Sequence, residues 1–238
     1  MRDDMQKRKR RRRRGEEEET ADRIAGNEKR VEMWVPKTIT GKKVKNDEIK
    51  SLEEMFGRNY VMMEPEIFDA LVATPLEKLV DFKKTTRVTR QGRNFSFRAT
   101  VLVGDGEQFI GVGIGKDKER FPAIRKAARN AKLSLVRVRK GAGSWESSAT
   151  TGASLPFKVA GKSASVRVEL LPAPEGTGLV VGEAIKDVMR FAGIKDVWSK
   201  TSGNTRSKLD FVKAAVDALS NTTKMRISKD IEGKIRRG

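Results

Sequence analysis

The chain has 238 residues, a formal net charge of +19, and apolar and charged fractions of 37% and 35%. That length suits one large domain or two modest ones, with a lean core and a wet surface. Cysteine and histidine are both absent, which excludes disulfides, thiol nucleophiles, Cys-type zinc sites and His-dependent triads, and removes the commonest general base.

No stretch approaches the roughly 18 apolar residues of a membrane span, and the opening MRDDMQKRKRRRRR has no apolar region of secretory type. The expectation is a soluble cytoplasmic protein, with no membrane, metal, cofactor or small-molecule substrate. The charge is uneven: +7 on residues 1–14, −6 on 15–77, +11 on 78–146 and +7 on 147–238. The basic surface therefore belongs to the folded body, and a polyanion is the expected partner, nucleic acid ahead of a membrane surface.

Residues 1–30 form a charge-block arm, Arg10–Arg14 followed by Glu16–Glu19. Such blocks bury no apolar area and read either as an RNA-binding arm or as a solvated tail. Residues 31–77 read as an extension packing on the body. Trp34-Val35-Pro36 and Thr38–Gly41 look extended. Ile49, Leu52, Met55 and Phe56 have helical spacing, so a short helix is expected near Asp47–Phe56. Pro65 opens a second short helix that carries Ile67, Phe68, Leu71 and Val72 and stops before Pro75.

A central domain is expected over 78–143. Leu79–Val88 reads as a strand, and Arg90-Gln91-Gly92-Arg93 as a hairpin tip. In the next strand Phe95, Phe97, Ala99, Val101 and Val103 share one face, and Asn94, Ser96, Arg98 and Thr100 share the other. Core packing is favoured over base stacking for Phe95 and Phe97. Asp105-Gly106 signals a second turn. Then Ile110, Val112 and Ile114 alternate with Gly111, Gly113 and Gly115. The bare glycine face admits either a closely packed helix or an RNA sugar-phosphate chain.

Pro122 marks a helix start. Ile124, Ala127, Ala128, Ala131 and Leu135 make its buried stripe, and Arg125, Arg129 and Lys132 a basic one. No acidic residue lies between Glu119 and Glu146, so local neutralisation is expected to be absent. Residues 141–152 read as a Gly/Ser/Thr-rich linker or loop. The C-terminal domain, 153–223, reads β-α-β-α. It has a strand through Val166, Val168 and Leu170, a tight loop Pro172–Gly178, and a helix from Val181 to Ala192 capped by Gly193. A strand Val197–Thr201 and a helix capped by Ser207 complete it. Residues 224–238 read as a basic tail.

The glycine motifs fail as nucleotide cradles. Gly161-Lys162-Ser163 has Pro156 where a P-loop needs glycine, Gly111-x-Gly113-x-Gly115 lies inside a strand, and Gly176-x-Gly178 is followed by Val181 in place of the third glycine.

The segments GRNFSFRATVLVGDG, GVGIGK, FPAIRKAARNAKLSLVRV and LLPAPEGTGLVVG, in this order, resemble the universal fifth protein of the small ribosomal subunit. WVPKTITGKKVKNDEIKSLEEMF resembles its archaeal and eukaryotic branch. The resemblance implies an α+β fold of two small two-layer α/β domains. One is double-stranded-RNA-binding-like, and the other is of translation-factor type. It implies a structural, non-enzymatic constituent of the small subunit that binds rRNA, helps form the channel through which mRNA enters, and supports decoding accuracy. Implied neighbours are the third, fourth and eighth small-subunit proteins. The candidate rRNA-binding residues are Arg87, Arg90, Gln91, Gly92, Arg93, Lys116, Arg125, Lys126, Arg129, Lys132, Arg137, Arg139 and Lys140. Ser165, Val166 and Arg167 fall on the implied fidelity-linked protein contact, and Lys158 and Lys162 are candidates for the mRNA channel. The alternatives are a free-standing double-stranded-RNA-binding protein in RNA processing, and an enzyme such as a small ATPase or kinase relative.

Overall fold

The structure is a computed structural model and describes residues 33–141 and 152–224. The charge-block arm, most of the 141–152 segment and the basic tail fall outside the described residues. The chain divides between Pro75 and Leu76 into two compact units.

The first unit holds three short helices, α1 (Ile39–Lys45), α2 (Leu52–Gly57) and α3 (Glu66–Leu71). α1 overturns the extended reading of Thr38–Gly41. Its sequence ITGKKVK has no apolar period to betray it, but the Thr38 hydroxyl accepts from the Gly41 amide at 3.1 Å and caps the helix start. Ser51 caps α2 the same way through the Glu54 amide, which places that helix later than Asp47. Pro65 lies at the start of α3, which ends at Leu71, as the proline spacing predicts. Ile49, Met55, Ile67 and Phe68 are buried. Glu64 ties the unit together. Its carboxylate accepts from Trp34 Nε1 (2.7 Å) and from the amides of Lys37 (2.9 Å) and Thr38 (2.6 Å).

The second unit contains two sheets. In the first, β1 (Leu76–Thr89), β2 (Gly92–Gly104), β3 (Phe109–Asp117) and the short β4 (Leu135–Arg137) pair antiparallel in that order, with α4 (Arg120–Leu133) on one face. β4 extends the sheet with residues expected to lead the chain out of the domain. In the second sheet the order is β5 (Val159–Ser163), β6 (Val166–Pro172), β8 (Val197–Ser202) and β7 (Leu179–Val180). Helices α5 (Glu183–Phe191) and α6 (Lys208–Ser220) belong to this half of the unit. β7 runs parallel to β8 and closes a β-α-β crossover through α5. β5 is absent from the sequence reading. Its five residues hold one large apolar side chain, Val159, too short a pattern to read.

The glycines of β3 answer the question they pose in the sequence. A Cβ on Gly111, Gly113 or Gly115 would overlap the carbonyl oxygens of Ala131, Ala127 and Ala123 respectively. Three bare positions two residues apart on the strand meet three alanines four apart on the helix, so the backbones come into close contact. The glycine face is filled by α4, which leaves no room there for an RNA chain. The buried side of α4 is accordingly Ala123, Ala127 and Ala131, with Ile124 and Ala128 only half-buried and Leu135 in β4. The same device recurs at Gly161, beneath Ala214 and Ala218 of α6.

The other face of the first sheet is covered too. Leu102 and Ile110 share a single core with Val166, Val168, Leu170, Val212, Ala215 and Leu219 of the second sheet and α6. The β2–β3 turn sits against the end of α5, where the Gly106 amide donates to the Phe191 carbonyl at 3.1 Å. Asp105 Oδ1 organises that turn by accepting from the amides of Glu107, Gln108 and Phe109. One shared core lets a lean apolar composition bury both sheets.

Candidate nucleic-acid interface

β2 pairs with β3 only as far as Phe97↔Asp117, whereas β1 and β2 continue together to Thr89↔Gly92. The last five rungs of the β1–β2 hairpin therefore stand beyond the three-stranded sheet, a projection of about 17 Å at 3.4 Å per residue. Its turn is Arg90-Gln91, both exposed. Gly92 has φ +120°, a value that L side chains rarely adopt. The Thr89 hydroxyl donates to the Gly92 carbonyl at 3.0 Å and closes the tip.

The register sorts the hairpin's cations by face. Val88↔Arg93, Thr86↔Phe95 and Lys84↔Phe97 lie on the α4 side, while Arg87↔Asn94, Thr85↔Ser96 and Lys83↔Arg98 lie on the opposite side. Arg87 and Arg93, both candidate rRNA-binding residues, lie on opposite faces, and Arg90 sits at the turn between them.

Phe95 corrects the core expectation. It is 47% exposed, with the Lys84 ammonium 3.8 Å from its ring centroid. The alternation assigns the right face, but two rungs beyond the third strand that face is only partly covered, leaving the ring half in solvent. Phe97 is half-buried and stacks on Phe82 at 5.5 Å between centroids, and the Arg120 guanidinium lies 5.0 Å from the Phe82 ring.

α4 presents only part of the basic stripe expected of it. Lys132 is buried, with its ammonium 2.8 Å from Glu77 Oε1 on β1. Lys126 pairs with Asp117 on β3 at 2.6 Å. The hydrogen bond from Lys126 is the main cause holding the Asp117 carboxyl below its ordinary pKa, helped by the Lys118 amide. Neutralisation is thus local in space: the carboxylates come from the sheet, not from the helix. Arg125 and Arg129 remain exposed and, among the described residues, without an ion-pair partner. Asn130 Nδ2 and the Ser134 hydroxyl donate to the Ile114 and Val112 carbonyls, each at 2.8 Å, satisfying the edge of β3 beyond the reach of β4.

Lys140 is also drawn inward. Burial pushes its ammonium below the ordinary lysine range, against the opposing pull of Asp105 and Glu107, while Lys195 adds to the depression. Arg137 and Arg139 are half-buried, and the Arg139 amide donates to Thr222 Oγ1 at 3.0 Å. Lys116 is exposed.

In the second sheet Ala164-Ser165 form the β5–β6 turn, Ala164 at φ +51°. Ser165 and Arg167 are exposed, but Val166 is fully buried, so it serves the core and offers nothing to a neighbouring protein. The Lys158 ammonium lies 2.8 Å from Glu169. Lys162 is exposed beside Lys213 and Asp217, lining a cleft of ≈ 360 Å³. The sequence reading missed Lys83, Lys84, Arg98 and Arg120. The β2–β3 turn is the signal that finds Arg98: once Gly104 pairs with Ile110, Arg98 must face Lys116.

Among the described residues no cluster of His, Cys, Asp or Glu could hold a metal ion, and no helix is long and apolar enough to cross a membrane. These features define the class: a basic, two-sheet α+β protein with an open, cation-studded surface. The family comparisons refine it. Residues 76–139 match the family model of the ribosomal protein S5 N-terminal domain, and residues 161–232 that of the S5 C-terminal domain. The small ribosomal subunit protein uS5 of Staphylothermus marinus is 48% identical over 198 residues, covering 83% of this chain and 92% of its own length. Those of Hyperthermus butylicus and Methanococcus maripaludis are 48% identical over 192 residues and 47% over 190. The matches cover 80% of this chain in each case, and 90% and 83% of the relatives. The chain belongs to the ribosomal protein S5 family.

Proposed function

We propose that this protein is a structural, non-enzymatic constituent of the small ribosomal subunit that holds rRNA by its phosphates. Membership of the S5 family over most of the chain carries the reading. The exposed arginines supply the chemistry. Arg90 and Arg93 on the projecting hairpin, with Arg125 and Arg129 on α4, hold cations at fixed spacing on a rigid frame, and such cations displace counterions from an RNA backbone. The free-standing double-stranded-RNA-binding alternative is not favoured, because its relatives carry the name of a ribosomal protein.

The family resemblance supports finer assignments. Arg167 and Ser165, on the exposed edge of the β5–β6 turn, would face the fourth small-subunit protein and bear on decoding accuracy. Lys162 is the better of the two mRNA-channel candidates, since Lys158 is engaged by Glu169. The third and eighth proteins are the other proposed neighbours.

Sedimentation tests the central claim. The full chain should travel with small subunits and stay there through moderate salt. Recovery only in the free fraction, or turnover of a nucleoside triphosphate by the purified protein, would overturn it.

A further inference from the structure

Three cations stand in one row across the first sheet, on the face opposite α4. Lys83 of β1 is directly opposite Arg98 of β2, and Arg98 is directly opposite Lys116 of β3. Like charges on neighbouring rungs repel, and a sheet normally breaks such a row with a carboxylate or a neutral side chain. Here Asp81, two residues along β1, meets one end of the row: its Oδ2 lies 3.5 Å from the Lys83 ammonium. Among the described residues neither Arg98 nor Lys116 has an ion-pair partner. Arg98 Nε is moreover buried and lacks any hydrogen-bond acceptor. Nε itself is sealed from any ligand, but the terminal guanidinium nitrogens are not, so the centre of the row holds an uncompensated charge that an anion can meet.

The row is open to a large ligand. The Lys83 side chain is 50% exposed, and Lys116 is exposed. At 4.8 Å per strand the three Cα positions span about 10 Å. Beyond the row, towards the hairpin tip, the same face carries the Thr85 and Ser96 hydroxyls, then Arg87 opposite Asn94. Cations bordered by neutral donors, spread along a sheet surface, suit a chain of phosphates and sugars better than a single small anion.

We propose that Lys83, Arg98 and Lys116 form a phosphate-binding row for the RNA backbone, so that the nucleic acid lies on the sheet face away from α4, at the end towards the hairpin tip that the shared core leaves open. The proposal rests on the rRNA-binding reading above and assigns it a place. Arg98 donates to a phosphate oxygen at the centre, the two lysines neutralise the flanking charge, and the repulsion built into the free sheet is relieved on binding.

The test measures binding of the full chain to a transcript of small-subunit rRNA across a salt series. Each phosphate contact contributes about 0.7 to 0.9 to the slope of log K against log salt. The triple variant Lys83→Gln, Arg98→Gln, Lys116→Gln should flatten the slope by about 2 to 3 and melt no lower than the parent. Lys83→Gln with Lys116→Gln leaves the half-buried Arg98 in place. It guards against a folding defect in the triple variant and should flatten the slope by about 1 to 2. Lys83→Arg with Lys116→Arg should keep the parent slope. A steep parent slope that the glutamine variants do not change overturns the row while leaving rRNA binding intact. A parent that shows no salt-dependent binding overturns the rRNA reading, and the row with it.

Discussion

Gly113 of β3 lies so close beneath Ala127 of α4 that a Cβ added to the glycine would overlap the alanine carbonyl oxygen. Backbone cannot move aside as a side chain can, so the helix must shift. Gly113→Ala is expected to destabilise the second unit by about 1–3 kcal/mol, the range for overpacking, and Gly113→Val by more. Gly57→Ala is the control, because nothing lies within 4 Å of that position. It should be neutral or slightly stabilising. Denaturant midpoints at constant slope measure both.

Lys132 and Arg129 are three residues apart on α4 but have opposite fates. Lys132 is buried against Glu77, and Arg129 is in solvent. Lys132→Met is therefore expected to leave the salt slope of rRNA binding unchanged. Joint replacement of Arg90, Arg93, Arg125 and Arg129 by Ala should flatten it by about 3. Glu77→Gln strips the counter-charge from a buried ammonium and should cost about 1–2 kcal/mol, less than a fully buried pair because the Glu77 side chain is 40% exposed. An undiminished slope in the four-arginine variant removes those residues from the RNA surface.

Glu64 makes the first unit acid-sensitive. Burial works against its ionisation, but the hydrogen bonds from Thr38, Lys37 and Trp34 prevail and hold its carboxyl below the ordinary glutamate range. A depressed carboxylate pKa stabilises the fold fully above the unfolded value of about 4.3, and that contribution fades as pH falls through the folded value. Trp34 donates to Glu64, so its indole reports the change. With Phe at the other two tryptophan positions, Trp34 emission should shift only on acidification below the ordinary glutamate range. Glu64→Gln should abolish that acid step and leave the unit less stable at neutral pH.

Periodicity carried most of the strand assignments, because alternation is a local property. β2 and β3 alternate as read, and the Asp105-Gly106 turn fixes their register. Three kinds of fact lay outside local reach. α1 has no apolar stripe and depends on the Thr38 cap. The pairings of Lys126 and Lys132 join the helix to β3 and β1, across separations in sequence that charge counting along the chain cannot see. The sharing of one core by two sheets hides how far the face opposite α4 is covered and where its open end begins. The hairpin tip, by contrast, was legible: glycine in a short run of arginines marks a turn, and a turn rich in cations marks a surface.

Phe95 separates packing from binding. In a covered sheet, a phenylalanine alternating with Phe97 and Ala99 would cost about 3–5 kcal/mol to truncate. Two rungs past the end of its pairing with β3, Phe95 has no third strand beside it among the described residues, and its burial is only partial. Phe95→Ala is expected to cost less than about 1 kcal/mol, whereas Leu102→Ala, in the shared core, should cost about 2–5. The substitution removes no charge, so the salt slope of rRNA binding should stay as in the parent. Affinity at a fixed salt concentration then reads the ring alone. A tenfold loss corresponds to about 1.4 kcal/mol, within the range of base stacking on an aromatic side chain, and would place a base on Phe95. Unchanged affinity would leave the ring as a platform for the Lys84 ammonium. A stability loss as large as that of Leu102→Ala would mean that the hairpin face is covered in solution.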